Sequence, residues 1–248
     1  MSAALDWDYS ALAEHYRHRA RYADAALDQL FALLALPNGA SAVDIGAGTG
    51  RFTAALTAQG LAVAAVEPNP AMRAIGCRDV PAAHWLDTRG EATGLESARH
   101  DLVSFASSFN VLPPSAALAE AARLLKPGGW LVCLWNHRDL DDALQAELQA
   151  IVAREVPGYA HGARRDDPSG AILADGRFEA PRRIVGELRH AIDTRDFVEG
   201  FRAHATLVRQ AGAKLPRVLD ALAARLAGRD RLFVPFVTRI FAARRIAA

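Results

Sequence analysis

The hydrophobic positions change their rhythm along the chain, and the changes predict its elements. Residues 5–22 read as a polar helix with aromatic teeth at Trp7, Tyr9, Tyr16 and Tyr22. Residues 23–36 read as a second helix, with Ala26, Leu27, Leu30, Leu33 and Leu34 at helical spacing, closed by Pro37-Asn38-Gly39. Short apolar runs then alternate with helical patterns. Strands are predicted at residues 42–45, 61–66, 82–86, 101–106 and 130–135, and helices at 50–58, 70–77 and 115–125. Lys126-Pro127-Gly128-Gly129 reads as the turn into a run, Trp130 to Trp135, that is apolar at every position, as a central strand covered on both faces requires. Strands alternating with helices imply a doubly wound, mostly parallel α/β sheet.

Past Asn136 the pattern changes. A helix is predicted over residues 139–156, a polar loop over 161–169 with Arg164, Arg165, Asp166 and Asp167, and a strand over 182–190. Thr194 is placed to cap a helix reaching about Arg209, with Phe197, Val198, Phe201, Ala205 and Val208 on one face. A helix at 215–226 and a last strand at 231–243 follow. This divides one domain over residues 1–248 into N-terminal helices (1–36), an alternating α/β core (40–137) and a C-terminal part with the last strands (138–248).

Composition narrows the setting. The chain has 248 residues, enough to bury a substantial core, with 51% hydrophobic and 23% charged residues. The net charge of +1 provides no global field for nucleic acid or membrane, and no basic stripe interleaved with aromatics stands out. Cys77 and Cys133 form no Cys-x-x-Cys pair, the first ten residues lack an apolar core, and no run has the length of a membrane span; a cytoplasmic protein is expected. Histidines at tight ligand spacing with an acid partner are missing, so no metal is expected.

The chemistry concentrates in Ala42-Val43-Asp44-Ile45-Gly46-Ala47-Gly48-Thr49-Gly50-Arg51: a strand, a glycine turn and a helix start, followed after the next strand by Glu67. That is the layout of a nucleoside-binding half-sheet, in which an acid takes the ribose hydroxyls. A dinucleotide fingerprint needs glycine at the sixth position, where Arg51 stands, and a phosphate loop needs a following Gly-Lys-Ser/Thr, which is absent.

With glycines at the first, third and fifth positions and Asp44 ahead of them, the loop resembles motif I of the class I S-adenosylmethionine (SAM) dependent methyltransferases. The resemblance extends to Val66-Glu67-Pro68-Asn69-Pro70-Ala71-Met72, to Gly90-Glu91-Ala92, to Asp101–Asn110 and to Leu124-Leu125-Lys126-Pro127-Gly128-Gly129 with Trp135-Asn136 beyond. It implies a Rossmann-like fold with a small C-terminal cap, and SAM as cofactor with S-adenosylhomocysteine as product. It further implies that Asp44, Gly46, Ala47, Gly48 and Gly50 form the SAM loop and that Glu67 binds the ribose. Pro68 and Met72 would flank the adenine, Glu91 would accept from its amino group with Gly90 and the Ala92 amide beside the ring, and the Ser107 backbone would face the methionine part. The N-terminal segment resembles the family's lid helix, where Tyr16 and Arg19 would reach the methionyl carboxylate.

His137, just past a central strand, is the candidate base. Phe109, Trp135, Phe197 and Phe201 are candidate walls for a small, partly apolar acceptor, and Arg202, His190 and His204 candidate contacts. Family members often carry histidine or tryptophan after the aromatic of the fourth motif, where this chain has Asn110 and Val111, so the acceptor chemistry is not carried over. The expected function is methyl transfer to oxygen, nitrogen or carbon of a small molecule, by a monomer or homodimer without nucleic-acid or membrane partners. The alternatives are a non-catalytic SAM-binding or scaffolding protein and, less favoured, a nicotinamide-dependent oxidoreductase.

Overall fold

A computed structural model describes residues 9–247; Met1 to Asp8, and with them the Trp7 tooth, lie outside the described residues. Seven strands form one sheet: β1 (Ser41–Ile45), β2 (Ala62–Val66), β3 (His84–Leu86), β4 (His100–Ala106), β5 (Leu125–Arg138), β6 (Arg182–Asp193) and β7 (Arg231–Arg244). Their order is β3-β2-β1-β4-β5-β7-β6, with β7 antiparallel to both of its neighbours and the other pairings parallel.

Period-2 alternation on β5 shows how the layers are built. Trp130, Val132 and Leu134 pack with α1 (Asp24–Leu34) and α2 (Arg51–Ala58) through Ala26, Leu30, Phe52 and Leu56. Leu131, Cys133 and Trp135 face the opposite way, against Ala117, Leu118 and Ala121 of α4 (Pro114–Leu124) and Ile172 of α6 (Ser169–Asp175). Strands buried on both faces have to be apolar at every position, hence the unbroken run. On the α1 side the approach is close: a Cβ on Gly186 would stand 2.7 Å from the Ala26 Cβ. Between β2 and β3 lies α3 (Pro70–Asp79), capped by the Asn69 side chain on the Met72 amide at 3.0 Å. A third apolar cluster joins α5 (Ala143–Glu155), α7 (Thr194–Glu199), α8 (Ala205–Ala211) and α9 (Leu215–Leu226) to Ile192, Leu232 and Val234 on β6 and β7.

Several sequence expectations change. The helix expected over residues 5–22 is, where described, a 3₁₀ helix (Ser10–His18), after which Arg19 is extended. Tertiary anchors replace helix there: Asn136 Nδ2 donates to the Arg21 carbonyl at 2.7 Å, and the Ala23 amide donates to Thr238 Oγ1 at 2.9 Å. The turn at 126–129 is absorbed into β5 as an irregularity opposite His100 and Leu102, with Gly128 at φ +74°. The helix expected from Thr194 to Arg209 breaks into α7, a 3₁₀ turn (Gly200–Ala203) and α8. Its cap position falls on Asp193, and Thr194 Oγ1 is buried without a partner. The loop at 161–169 contains a 3₁₀ turn (Gly162–Arg165) and leads into α6, an element the sequence reading did not contain. Asp142 caps α5 through the Gln145 amide, because β5 runs on to Arg138.

Candidate functional site

β1 and β4 are neighbours whose crossovers leave in opposite directions, so a crevice opens beyond their carboxyl ends. A cavity of about 620 Å³ occupies it, within the size range of small-ligand sites.

Its floor is the loop after β1. The amides of Gly46 and Ala47 both donate to the Val66 carbonyl, at 2.8 and 3.0 Å, curling the chain back over β2. Gly46 has φ +68°, and a Cβ there would lie 2.5 Å from that of Ser108, so this contact admits only glycine. Gly48, at φ +59°, has open space where its Cβ would be. The Gly48 amide donates to Glu67 Oε2 and the Asn69 amide to Glu67 Oε1, each at 2.8 Å. The Glu67 carboxylate is therefore oriented by backbone on both oxygens, with lone pairs to spare. Burial raises its pKa, opposed by those two amides and by Arg73.

Beneath the loop, Asp44 accepts from Ser104 Oγ and Thr53 Oγ1, each at 2.7 Å, and is wholly buried. Burial lifts its pKa to about 6. One side wall comes from Gly90 and Glu91, with Pro68 and Met72 nearby, and Ser107 contributes from the end of β4 at φ +64°.

The far end is built from the end of β5 and the helices beyond. Arg138 is buried, donates to Gln145 Oε1 at 2.9 Å and lies 4.7 Å from the Phe201 ring centre. Arg19, Tyr159, His161, Arg164, Arg165, Phe197 and His204 complete that end. Burial, with Arg165 and Arg164 beside it, drives the His137 pKa down to about 2, and Nδ1 of that ring is buried without a partner. His204, stacked on Phe201 at 5.6 Å, is likewise held neutral by burial and by Arg164 and Arg19.

The methyltransferase-domain family matches residues 43–133, which span the glycine loop, Glu67, the Gly90 segment and β4 to β5. An uncharacterized methyltransferase of Mycobacterium tuberculosis is 36% identical over 147 residues, covering 59% of this chain and 58% of that protein. A demethylmenaquinone methyltransferase of Renibacterium salmoninarum is 36% identical over 140 residues, covering 55% of this chain and 58% of that protein. The chain thus spans less than two thirds of the length of these relatives. Among solved structures, a proposed type II methyltransferase from Anaeromyxobacter dehalogenans superposes with TM-score 0.59 at 22% identity, over 93% of this chain and 99% of that chain. At that identity the likeness speaks to the fold.

Residues 43–133 thus carry the likeness to the methyltransferase-domain family, and the chain has the Rossmann-like fold of its structural neighbours.

Of the residues expected to serve a methyltransferase site, Tyr16, Arg19, Gly46, Ala47, Gly48, Glu67, Pro68, Met72, Gly90, Glu91, Ser107, His137, Phe197 and Phe201 line the one cavity. Others stand elsewhere. Asp44 lies under the loop and not in the cavity wall. Gly50 serves the start of α2 at φ +83°, with Val80 and Trp85 within 3.1 Å of any Cβ. The Ala92 amide closes a turn onto the Arg89 carbonyl at 3.2 Å, where an adenine ring was expected.

Phe109 is corrected as an acceptor wall: it is buried edge-on against Phe105, and Asn110, Val111 and Leu112 line the cavity in its place. Trp135 is corrected too, packing on Phe241 and donating Nε1–H to Asn110 Oδ1 at 3.0 Å. Arg202 turns to Glu199 at 2.9 Å, and His190 packs edge-on to Phe236 outside the cavity. His137 is in place, yet so low a pKa makes it a poor proton acceptor.

Arg138, Tyr159 and His161 were missed, and Arg164 and Arg165 were read only as loop. The one sequence signal was the density of arginines after α5. Among the described residues no cluster suited to a metal ion occurs, and no helix is long and apolar enough to cross a membrane.

Proposed function

We propose that this chain transfers a methyl group from SAM to a small-molecule acceptor. The observation that carries the reading is the backbone-oriented carboxylate of Glu67 facing a glycine loop with no side chains in its way. Such a cradle fits a nucleoside: Glu67 for two vicinal hydroxyls, Met72 and Glu91 for the base, and the Gly46–Gly48 loop with Ser107 for the amino-acid part. Arg19, which lies over the Tyr16 ring at 4.1 Å and is held by the Ala203 carbonyl at 2.8 Å, suits the carboxylate.

When bound, SAM supplies a methyl group on a sulfonium with an activated leaving group. The protein's work is then to align the acceptor and exclude water. Phe197 and Phe201 give apolar wall for this. Since His137 is held neutral at a low pKa, proton removal is assigned to no fixed residue, and acceptors that are already nucleophilic at neutral pH suit the site.

Titration calorimetry with SAM, S-adenosylhomocysteine and NAD tests the donor. Micromolar binding of the first two with NAD silent is expected, and Glu67→Ala should weaken both by about 1.5–3 kcal/mol through loss of charge-assisted hydrogen bonds. NAD binding alone, or equal SAM affinity in the variant, would overturn the assignment. Turnover on a metabolite panel separates an enzyme from a SAM-binding scaffold.

A further inference from the structure

The acceptor end of the cavity is cationic and, among the described residues, is lined by no carboxylate. Among the described lining residues the only acids are Glu67 and Glu91, both at the nucleoside end. Arg138, Arg164 and Arg165 converge at the other end. Two of them have structural duties: Arg138 holds Gln145 and packs on Phe201, and Arg165 donates to the Arg138 carbonyl at 2.9 Å. Arg164 has neither a hydrogen bond nor an ion pair among the described residues. Its charge sits near Tyr9, Tyr16, Tyr159 and Arg19, and burial followed by Arg19 lowers its pKa.

Guanidinium stays charged in proteins. Several such charges gathered in a partly buried pocket are unfavourable until an anion meets them. A methionyl carboxylate needs one partner, and Arg19 is available for it. The remaining charge forms no ion pair among the described residues; Asp139 and Asp141 act on Arg165 only at a distance, and Asp166 and Asp167 lie outside the cavity lining.

We propose that the methyl acceptor is itself an anion, bearing a carboxylate or phosphate that Arg164 binds directly while Arg138 and Arg165 supply field behind it. This rests on the methyl-transfer reading. Arg164 suits the role because a planar guanidinium takes either oxyanion through two parallel hydrogen bonds. The aromatic walls Phe197, Phe201 and Tyr159 fit the uncharged body of such a molecule.

The test is calorimetry on the full chain saturated with S-adenosylhomocysteine, so that the donor's own carboxylate is already seated. The probes are two matched pairs: phenyl phosphate with phenol, and 4-hydroxybenzoate with its methyl ester. At least one anion should bind tenfold or more tightly than its neutral partner. The phosphate arm leading would assign a phosphomonoester, and the carboxylate arm leading a carboxylic acid. Arg164→Gln should abolish the preference while S-adenosylhomocysteine still binds, and Arg164→Lys should restore part of it. Neutral partners binding as tightly as the anions, no binding by either anion, or an anion preference that survives Arg164→Gln would each overturn the proposal. Failure of the wild type to bind S-adenosylhomocysteine would instead overturn the methyl-transfer reading, and the probe pairs titrated without it would still decide the anion preference.

Discussion

Asp44 is a charge kept where water cannot reach it, with two hydroxyls as its hydrogen-bond donors. The folded protein holds its proton up to about pH 6, whereas the ordinary value for an aspartate side chain is 3.8. A raised carboxyl pKa means that folding takes up a proton between those values. This group's contribution to stability is therefore full below pH 3.8 and is lost as the pH rises through 6. The penalty at neutral pH is on the order of 3 kcal/mol. Asp44→Asn removes the charge and keeps the shape, and either hydroxyl can rotate to accept from the amide. The variant should melt higher than wild type at pH 8, with the gap closing toward pH 4. A variant less stable than wild type at pH 8 would show that the ionised form is wanted by the fold itself.

His137 has the opposite sign: with its pKa near 2, its imidazole resonances in the ligand-free protein should not shift between pH 5 and 8. Titration in that window would restore it as a candidate base.

Between β3 and β4 the chain carries Gly90 and Glu91 to the cavity without a helix or strand to hold them. The brace comes from α4. Glu120 Oε1 accepts from the Thr93 amide and hydroxyl at 2.9 and 2.6 Å, and Arg123 grips the same carboxylate at 2.7 Å while donating to the Leu95 carbonyl at 2.8 Å. Burial alone would raise the Glu120 pKa, but the bonds from Arg123 and Thr93 win and bring it to about 2. The brace is thus at full strength above pH 4.5 and fails as the pH falls toward 2. Glu120→Ala leaves the Thr93 amide without its acceptor and Arg123 with only the Leu95 carbonyl and Ser97, and about 1–3 kcal/mol of stability should go with it. Urea melts check the stability. Faster amide exchange at residues 89–95 checks the brace, and unchanged exchange there would show that the loop stands without it.

Elements of this kind show what was legible in the sequence. β1, β2, β4 and β5 were readable because burial on both faces forces apolar runs between glycine and proline breaks. In contrast, α6 has seven residues and buries one large side chain, Ile172, too little for a helical period to register. The teeth at Tyr9 and Tyr16 face the cavity, so their spacing follows the site and not a helix face.

The cavity itself belongs to the whole molecule. Its glycine-loop end is written in one stretch of chain, residues 43–91, where the glycine loop and Glu67 are legible from spacing and Gly90 and Glu91 from the family resemblance. The cationic end is assembled from Arg19, the end of β5 and the turn after α5, and no local pattern marks that convergence. The net charge of +1 hides it, because acids elsewhere on the chain balance arginines that the fold segregates.

The same geometry ties the two ends mechanically. Arg51 at the start of α2 donates to the Tyr16 carbonyl at 3.2 Å, and Arg19 donates to the Ala203 carbonyl between α7 and α8. The segment from Tyr16 to Arg19 thus bridges the glycine loop and the cap helices across the cavity. Anything that fixes the loop should stiffen the bridge and, through it, α8, because both anchors are single hydrogen bonds at the site's rim. Hydrogen exchange with saturating S-adenosylhomocysteine should therefore show added protection at residues 46–52, at 16–20 and at 203–208 together. Arg19→Ala should confine that protection to the glycine loop. Protection limited to the loop in the wild type would mean that the cap responds to the acceptor alone, and the bridge would then be a wall of the cavity without a part in ordering it.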